Sequence, residues 1–381
     1  MRGSLLKKSS RAALFAAAVF ACMELWARID DYLVFGAPLL AEYSQESMLV
    51  LKDSSGVRGK PHGRFGKWSL NALGFRGPEI ALEKPPGSLR IAAMGASETF
   101  GIYESPGMEW PRRLEAGLRE AFPGRALEVV NTAFPGMGLE SALHYYRSHV
   151  RPLHPDIIVL YLNALPFLDA PKGTVAVTQA PAAGGPVPAP SPFHPGKPRL
   201  FPKLNRALHT RGPAALVAYV EDSRLQRRYR RFPRAGQLLN LDSSQVQALR
   251  DRLGEFIDTL RQDGAALVLS EHAHALLVWD GESHPAAWLN LWLYRPAVSE
   301  REFRSGYPVL NAACRQVGEA SGCTVVRQDT LLVAADSNFA ADGIHFTDRG
   351  AALTAGNFLA ALKPMLQSRF AAADTLPRFP R

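Results

Sequence analysis

The chain has 381 residues, 47% of them hydrophobic and 21% charged, with a formal net charge of +9. This is globular composition, with apolar material for one large core or two modest ones, and one domain of roughly 200–250 residues plus extras fits the length. Three cysteines with no C-x-x-C pair, Cys22, Cys314 and Cys323, argue against a structural zinc site. The positive surplus, mostly arginine, would attract nucleic acid, anionic lipid or an acidic polymer alike, and a genome biased towards Arg, Ala and Pro accounts for it equally well.

The N-terminus reads as a basic flank (Lys7, Lys8, Arg11) followed by an apolar run from Ala12 to Met23, then Glu24, Leu25 and Trp26. That is the pattern of a signal peptide, or of a short membrane span completed by tilt and snorkelling. The positive-inside rule places the basic flank in the cytoplasm and the body outside it. Three fates are open. An uncleaved signal anchor within 1–28 is favoured because no small-x-small cleavage site follows the run. A cleaved signal comes next, then lipidation of Cys22, whose preceding Phe20 is too large for a good lipobox. Residues 29–88 read as an irregular approach segment, with Pro85-Pro86-Gly87 as a turn.

From Leu89 apolar strands alternate with amphipathic helices. LRIAAMGAS, LEVVNTA, DIIVLYLN, AALVLSEH (265–272) and CTVVRQD read as five strands. MEWPRRLEAGLREAF, LESALHYYRSHV, a segment near 299–320 and TDRGAALTAGNFLAALKPML read as helices, the last with Thr347 as its N-cap. Such alternation predicts an α/β three-layer sandwich around a five-stranded parallel sheet, of flavodoxin-like type, with its site beyond the C-terminal strand ends. The domain is expected over 89–366, with a tail over 367–381. A break falls at about 165–240, where a Pro/Ala/Gly-rich stretch precedes the arginine-rich EDSRLQRRYRRFPR. The prolines predict loop. The arginines read as a solvated face or as a contact for anionic lipid or polymer. Gathered in one insertion without interleaved aromatic motifs, they argue against a nucleic-acid partner.

Two short stretches carry chemistry. Gly95-Ala96-Ser97-Glu98-Thr99-Phe100-Gly101 sets a serine directly after a buried strand, where its hydroxyl can face out at the rim near helix N–H groups. A serine needs a neighbouring base. Taken alone, the stretch is equally a simple turn or a phosphate-binding one. Ala341-Asp342-Gly343-Ile344-His345-Phe346-Thr347 sets a carboxylate three residues before a histidine, the spacing that lets Asp342 hold one imidazole nitrogen while the other faces outward. In a doubly wound sheet the two stretches lie on one rim. Glu98 can approach that rim or cap the helix. Glu271, His272 and His274 can line a pocket there or be structural, and they lack the partners of a metal site.

Together these blocks resemble the SGNH/GDSL hydrolase family: GASETFG its first block, G-D-S-x-T-x-G, and DGIH its last, D-x-x-H before a final helix. LNALGFRGPE resembles a lead-in of secreted members. The resemblance covers about 70–165 and 245–366. It implies a Ser97–His345–Asp342 triad, with the N–H groups of Ser97 and Gly136 (in NTAFPG, the second block) as oxyanion donors. The third block, G-x-N-D in the family, reads Asn163-Ala164-Leu165-Pro166 here. Asn163 therefore supplies a third donor only if the loop shifts, and losing one such donor typically costs about 10²–10³ in rate. Ala96 also replaces the family's Asp. The chemistry needs no cofactor. The resemblance implies an esterase or deacylase of acylated glycans or lipids, with an envelope polysaccharide O-acyltransferase and a non-catalytic glycan- or partner-binding module as alternatives. If the body lies in an oxidising compartment, Cys314 and Cys323 form one disulfide or remain two buried thiols.

Overall fold

The computed structural model describes residues 2–53, 56–168, 198–204, 241–281, 283–295, 298–333 and 335–375. The chain divides into two compact units. One comprises residues 1–51 and 63–68 together with the described residues 198–204. The other, which holds the sheet, comprises 52–62 and the described residues of 69–168 and 241–375.

The sheet has five parallel strands: β1 (Leu89–Gly95), β2 (Leu127–Asn131), β3 (Ile157–Tyr161), β4 (Ala266–Ser270) and β5 (Thr324–Val326), in the order β2-β1-β3-β4-β5. Every residue of β1 and β3 is buried, as expected for strands covered on both faces. The connection from β1 to β2 runs one way along the sheet, and those from β2 to β3, β4 and β5 run the other. Right-handed crossovers then put the connecting helices on opposite faces. Accordingly α2 (Trp110–Ala121), after β1, packs against α7 (Asp348–Thr375), with Trp110 on Phe358 at 4.7 Å between ring centroids. On the other face α4 (Ser243–Gln262) packs with α3 (Leu139–Tyr145) and α6 (Glu300–Ala320), the last preceded in the chain by α5 (Pro285–Tyr294). The expected three-layer sandwich is the observed one. The strand order reverses between β1 and β3, which opens the crevice where such folds carry their sites.

In the smaller unit α1 (Arg2–Phe35) continues seven residues past the expected anchor boundary. A short helix, Gln45–Leu49, follows, entered through a capping box on Ser44. Arg199 ties this unit together by donating to the carbonyls of Pro38 and Ala41, while Glu24 accepts from the backbone N–H groups of Arg199 and Leu200.

Three expectations are revised. The approach segment is not wholly irregular: it carries the end of α1, the short helix and two small ribbons. Helix α7 runs to Thr375, well into the expected tail, held near its end by Phe122 against Phe370. Cys314 and Cys323 are free thiols, not a bridge. Cys314 is fully buried on α6, where burial and then Glu271 push its thiol up to about 12, whereas Cys323 is half-buried beyond the helix end near Arg261. Most of the Pro-rich stretch and all of the arginine-rich run lie outside the described residues.

Candidate active site

Strand β1 ends at Gly95, and the chain turns at once into the helical turn Ser97–Phe100. No side chain fits at Gly95: a Cβ there would lie 2.3 Å from Thr99 Oγ1 and 2.9 Å from the carbonyl oxygen of Tyr161 on β3. The turn closes at Gly101 in the left-handed region. Buried Arg76 straps it from behind, donating to the carbonyls of Phe100 and Gly101 and lying 3.5 Å from Glu109. Ser97 thus sits at the first helical position, where its N–H has no partner within the helix.

The loop before α7 carries the second half. Asp342 Oδ1 accepts from the N–H groups of Ile344 and His345, both at 3.1 Å, while Oδ2 accepts from His345 Nδ1 at 2.7 Å. Gly343 makes the turn at φ 72°. Thr347 caps α7, its hydroxyl accepting from Gly350 N–H at 3.2 Å. With Nδ1 donating to the carboxylate, Nε2 is the free nitrogen. It is buried, and among the described residues it has no hydrogen-bond partner. The Tyr103 ring lies 5.1 Å from the imidazole. Burial opposes the charged ring, but the hydrogen bond to Asp342 and the charges of Glu98, Asp342 and Glu104 outweigh it and raise the pKa of His345. Asp342 is held below the usual carboxylate range, His345 overcoming its burial.

Glu98 does not cap a helix. It is 1% exposed and bonded on three sides. His272 Nε2 donates to Oε1 at 3.0 Å, Asn163 Nδ2 to Oε1 at 3.3 Å, and the Ser97 hydroxyl to Oε2 at 3.3 Å. The Tyr307 hydroxyl holds His272 Nδ1 at 2.6 Å, and Asn311 brackets the backbone of His272. Burial would raise the pKa of Glu98, but its bond to His272 and that ring's charge dominate, holding it at about 2. His274 is buried against Phe303 and held neutral, its pKa lowered to about 3 by burial and the neighbouring His272. Glu271 pairs with Arg315 and Arg327. Among the described residues no group of three or more His, Cys, Asp or Glu could hold a metal ion.

Ser97 and His345 therefore sit on one rim, both within the field of Glu98, yet among the described residues no hydrogen bond joins them. Gly136, at φ 83° in the turn after β2, has an N–H that donates to nothing among the described residues. Asn163 reaches the site, but its amide is engaged by Glu98, and its Oδ1 accepts from Leu165 N–H. Similar solved structures include an α/β hydrolase from the metagenome of Lake Arreo (16% identity, TM-score 0.41, covering 72% of this chain and 94% of that one). A lipase/acylhydrolase from Enterococcus faecalis (14%, 0.42, 73% and 96%) and a GDSL-like lipase from Parabacteroides merdae (12%, 0.43, 74% and 98%) are others. No protein-family model and no curated protein matches the sequence.

Three residues of the site carry no role in the sequence reading. Arg76 was visible only as part of the LNALGFRGPE block. Glu104, buried, has its pKa raised to about 7, burial outweighing Arg76 and His345. Tyr307 lies mid-helix, with no local signal that it faces a histidine.

Proposed function

We propose that the chain is a serine esterase of SGNH/GDSL type, in which Ser97 attacks an ester carbonyl and His345, oriented by Asp342, takes the serine proton. The observation that carries this reading is the His345–Asp342 pair: one ring nitrogen fixed at 2.7 Å by a carboxylate, the other buried and, among the described residues, unpartnered on the rim that holds Ser97. Between the two candidate bases near Ser97, the stronger takes the proton. A carboxylate held at about 2 is far weaker than an imidazole raised above its ordinary 6.5. The free N–H groups of Ser97 and Gly136 supply the oxyanion donors. His345 then protonates the leaving alcohol, and water resolves the acyl-enzyme with His345 as base. The substrate class is an ester of an acylated glycan or lipid.

A second reading, transfer of the acyl group to a sugar hydroxyl of an envelope polysaccharide, draws on two features. Glu98 occupies the amide of Asn163, which weakens the oxyanion site for hydrolysis. The apolar stretch Ser10–Phe35 of α1 is long enough to cross a membrane. On this reading α1 is a signal anchor, with the catalytic unit on the extracytoplasmic side.

The test is turnover of a short-chain aryl ester by the wild-type chain and by Ser97→Ala, with fluorophosphonate labelling and peptide mapping. Labelling at Ser97 and loss of turnover in the alanine variant are expected, and unchanged turnover would refute Ser97 as nucleophile. Adding a sugar acceptor separates the two readings: if acyl-sugar forms faster than free acid, the second holds.

A further inference from the structure

In the first sequence block a glutamate, Glu98, fills the position directly after the serine that the family pattern leaves open, and that glutamate is among the most buried charged groups of the sheet-bearing unit. A buried carboxylate persists only where partners hold it. Here the partners are His272, itself held by Tyr307 and Asn311, and the amide of Asn163. The array spends three buried side chains from two different elements on fixing one carboxylate beside the nucleophile. Its remaining oxygen, Oε2, receives the Ser97 hydroxyl at 3.3 Å. That distance is long for an O–H···O bond, so the hold is weak and reversible. On the other side His345 Nε2 has no hydrogen-bond partner among the described residues.

Resting on the serine-esterase reading above, we propose that Glu98 is a positioning residue: it latches the Ser97 hydroxyl away from His345 in the free protein and, through its fixed charge, steadies the imidazolium that forms when the substrate draws the hydroxyl across. The proton balance is simple. The Ser97 hydroxyl releases its hydrogen bond to Glu98, rotates, and gives its proton to His345 Nε2 as Oγ bonds the carbonyl carbon. Glu98 stays ionised throughout, paired with His272. The latch has a price in rate, because the carboxylate also opposes negative charge developing on Oγ and on the oxyanion. It makes the nucleophile dependent on a bound substrate.

The charged and titratable groups facing His345 are Asp342 on its own loop, Glu98 on the turn after β1, Glu104 and the Tyr103 ring on the loop that follows, and His274 after β4. Replacing Glu98 by Gln preserves shape and removes one of three negative charges. At an effective dielectric near 20, a unit charge several ångströms away moves a pKa by on the order of one unit. Two measurements on the full chain test the proposal. In histidine-labelled protein, with the resonance assigned by His345→Asn, the His345 titration midpoint in Glu98→Gln should fall by about half a unit or more. At a pH above the His345 midpoint measured for each form, fluorophosphonate labelling of Ser97 should be several-fold faster in Glu98→Gln. Glu98→Asp keeps the charge and withdraws the carboxylate by one methylene. It should titrate like the wild type yet label faster, and it serves if the Gln variant does not fold.

A wild type that labels, beside a Glu98→Gln variant with the same rate and the same titration, overturns the proposal and leaves the esterase reading standing. Labelling of the Gln variant alone supports the latch in its strongest form. Inertness of wild type and both variants overturns the serine reading and the latch with it, while the titration still reports on the field of Glu98.

Discussion

At His345 two opposing effects meet within one ring. Burial disfavours the charged imidazole, and three carboxylates favour it: Asp342 through a 2.7 Å hydrogen bond, Glu98 and Glu104 through the field alone. The carboxylates prevail, so the neutral ring needed by a general base appears only above the ordinary histidine pKa. Activity should therefore rise with pH along a limb whose midpoint lies above 6.5. Glu104, titrating at about 7, becomes charged over the same range and deepens the field as pH rises, which broadens that limb. Asp342→Asn removes the strongest of the three effects and also the acceptor that fixes the tautomer. An amide facing Nδ1 favours the ring with its proton on Nε2, the form that cannot accept from serine. The expected result is a fall in kcat of about 10³–10⁴ and an acid limb moved to lower pH. The measurement is kcat/KM against pH on an aryl ester, and a variant within tenfold of wild type at every pH would sink the assignment of Asp342.

Among the elements, the loop leaving β4 shows how much of this molecule is written locally and how much is not. The strands themselves are legible because burial on both faces demands unbroken apolar runs, as in IIVLY of β3 or LRIAAMG of β1. Gly95 and the Asp342–His345 spacing are legible for the same reason: each answers a constraint within a few residues. Glu98 and His272 are not, since they meet across 174 positions and each alone has an ordinary local explanation. The missing disulfide follows similarly. Nine residues of separation could not reveal that one thiol faces the core of α6 and the other lies beyond the helix end. His274, two residues past His272, carries its own consequence. Its folded pKa of about 3 lies well below the unfolded value near 6.5, so between these values the unfolded chain binds a proton that the folded chain refuses. Stability from this group is complete above pH 6.5 and is lost as pH falls towards 3, by at most about 1.4 kcal/mol per unit. His274→Gln keeps an acceptor for Leu276 N–H and removes the titration. Urea midpoints of wild type should therefore drop faster than those of the variant between pH 6.5 and 4. Parallel curves would mean that the ring is already charged in the fold.

At the scale of the whole molecule, the sheet-bearing unit supplies every residue assigned to the chemistry, while α1 belongs to the other unit and serves a different end. Its apolar residues face outward: Leu14 is 73% exposed, Phe15 72%, and Val19, Phe20 and Met23 about 40%. Such side chains are not the core of a water-soluble helix, and their number in one run exceeds what a soluble surface ordinarily carries. On the signal-anchor reading proposed above a bilayer covers them, with the basic Lys7, Lys8 and Arg11 before the apolar run in sequence and Trp26 after it. The energetics give a direct test. A lysine at the centre of a spanning helix costs about 2.5–3.5 kcal/mol on the insertion scale, and the run here is short, with little apolar surplus. The double variant Phe15→Lys/Val19→Lys should lose most of its partition into liposomes in a flotation gradient. Lysines at Tyr32 and Leu33, near the far end where they can snorkel, should leave flotation nearly unchanged. Aryl-ester turnover should survive in the detached double variant, because none of the exchanged side chains belongs to the unit that carries Ser97. If both variants float alike, α1 is not the element that holds the chain to lipid.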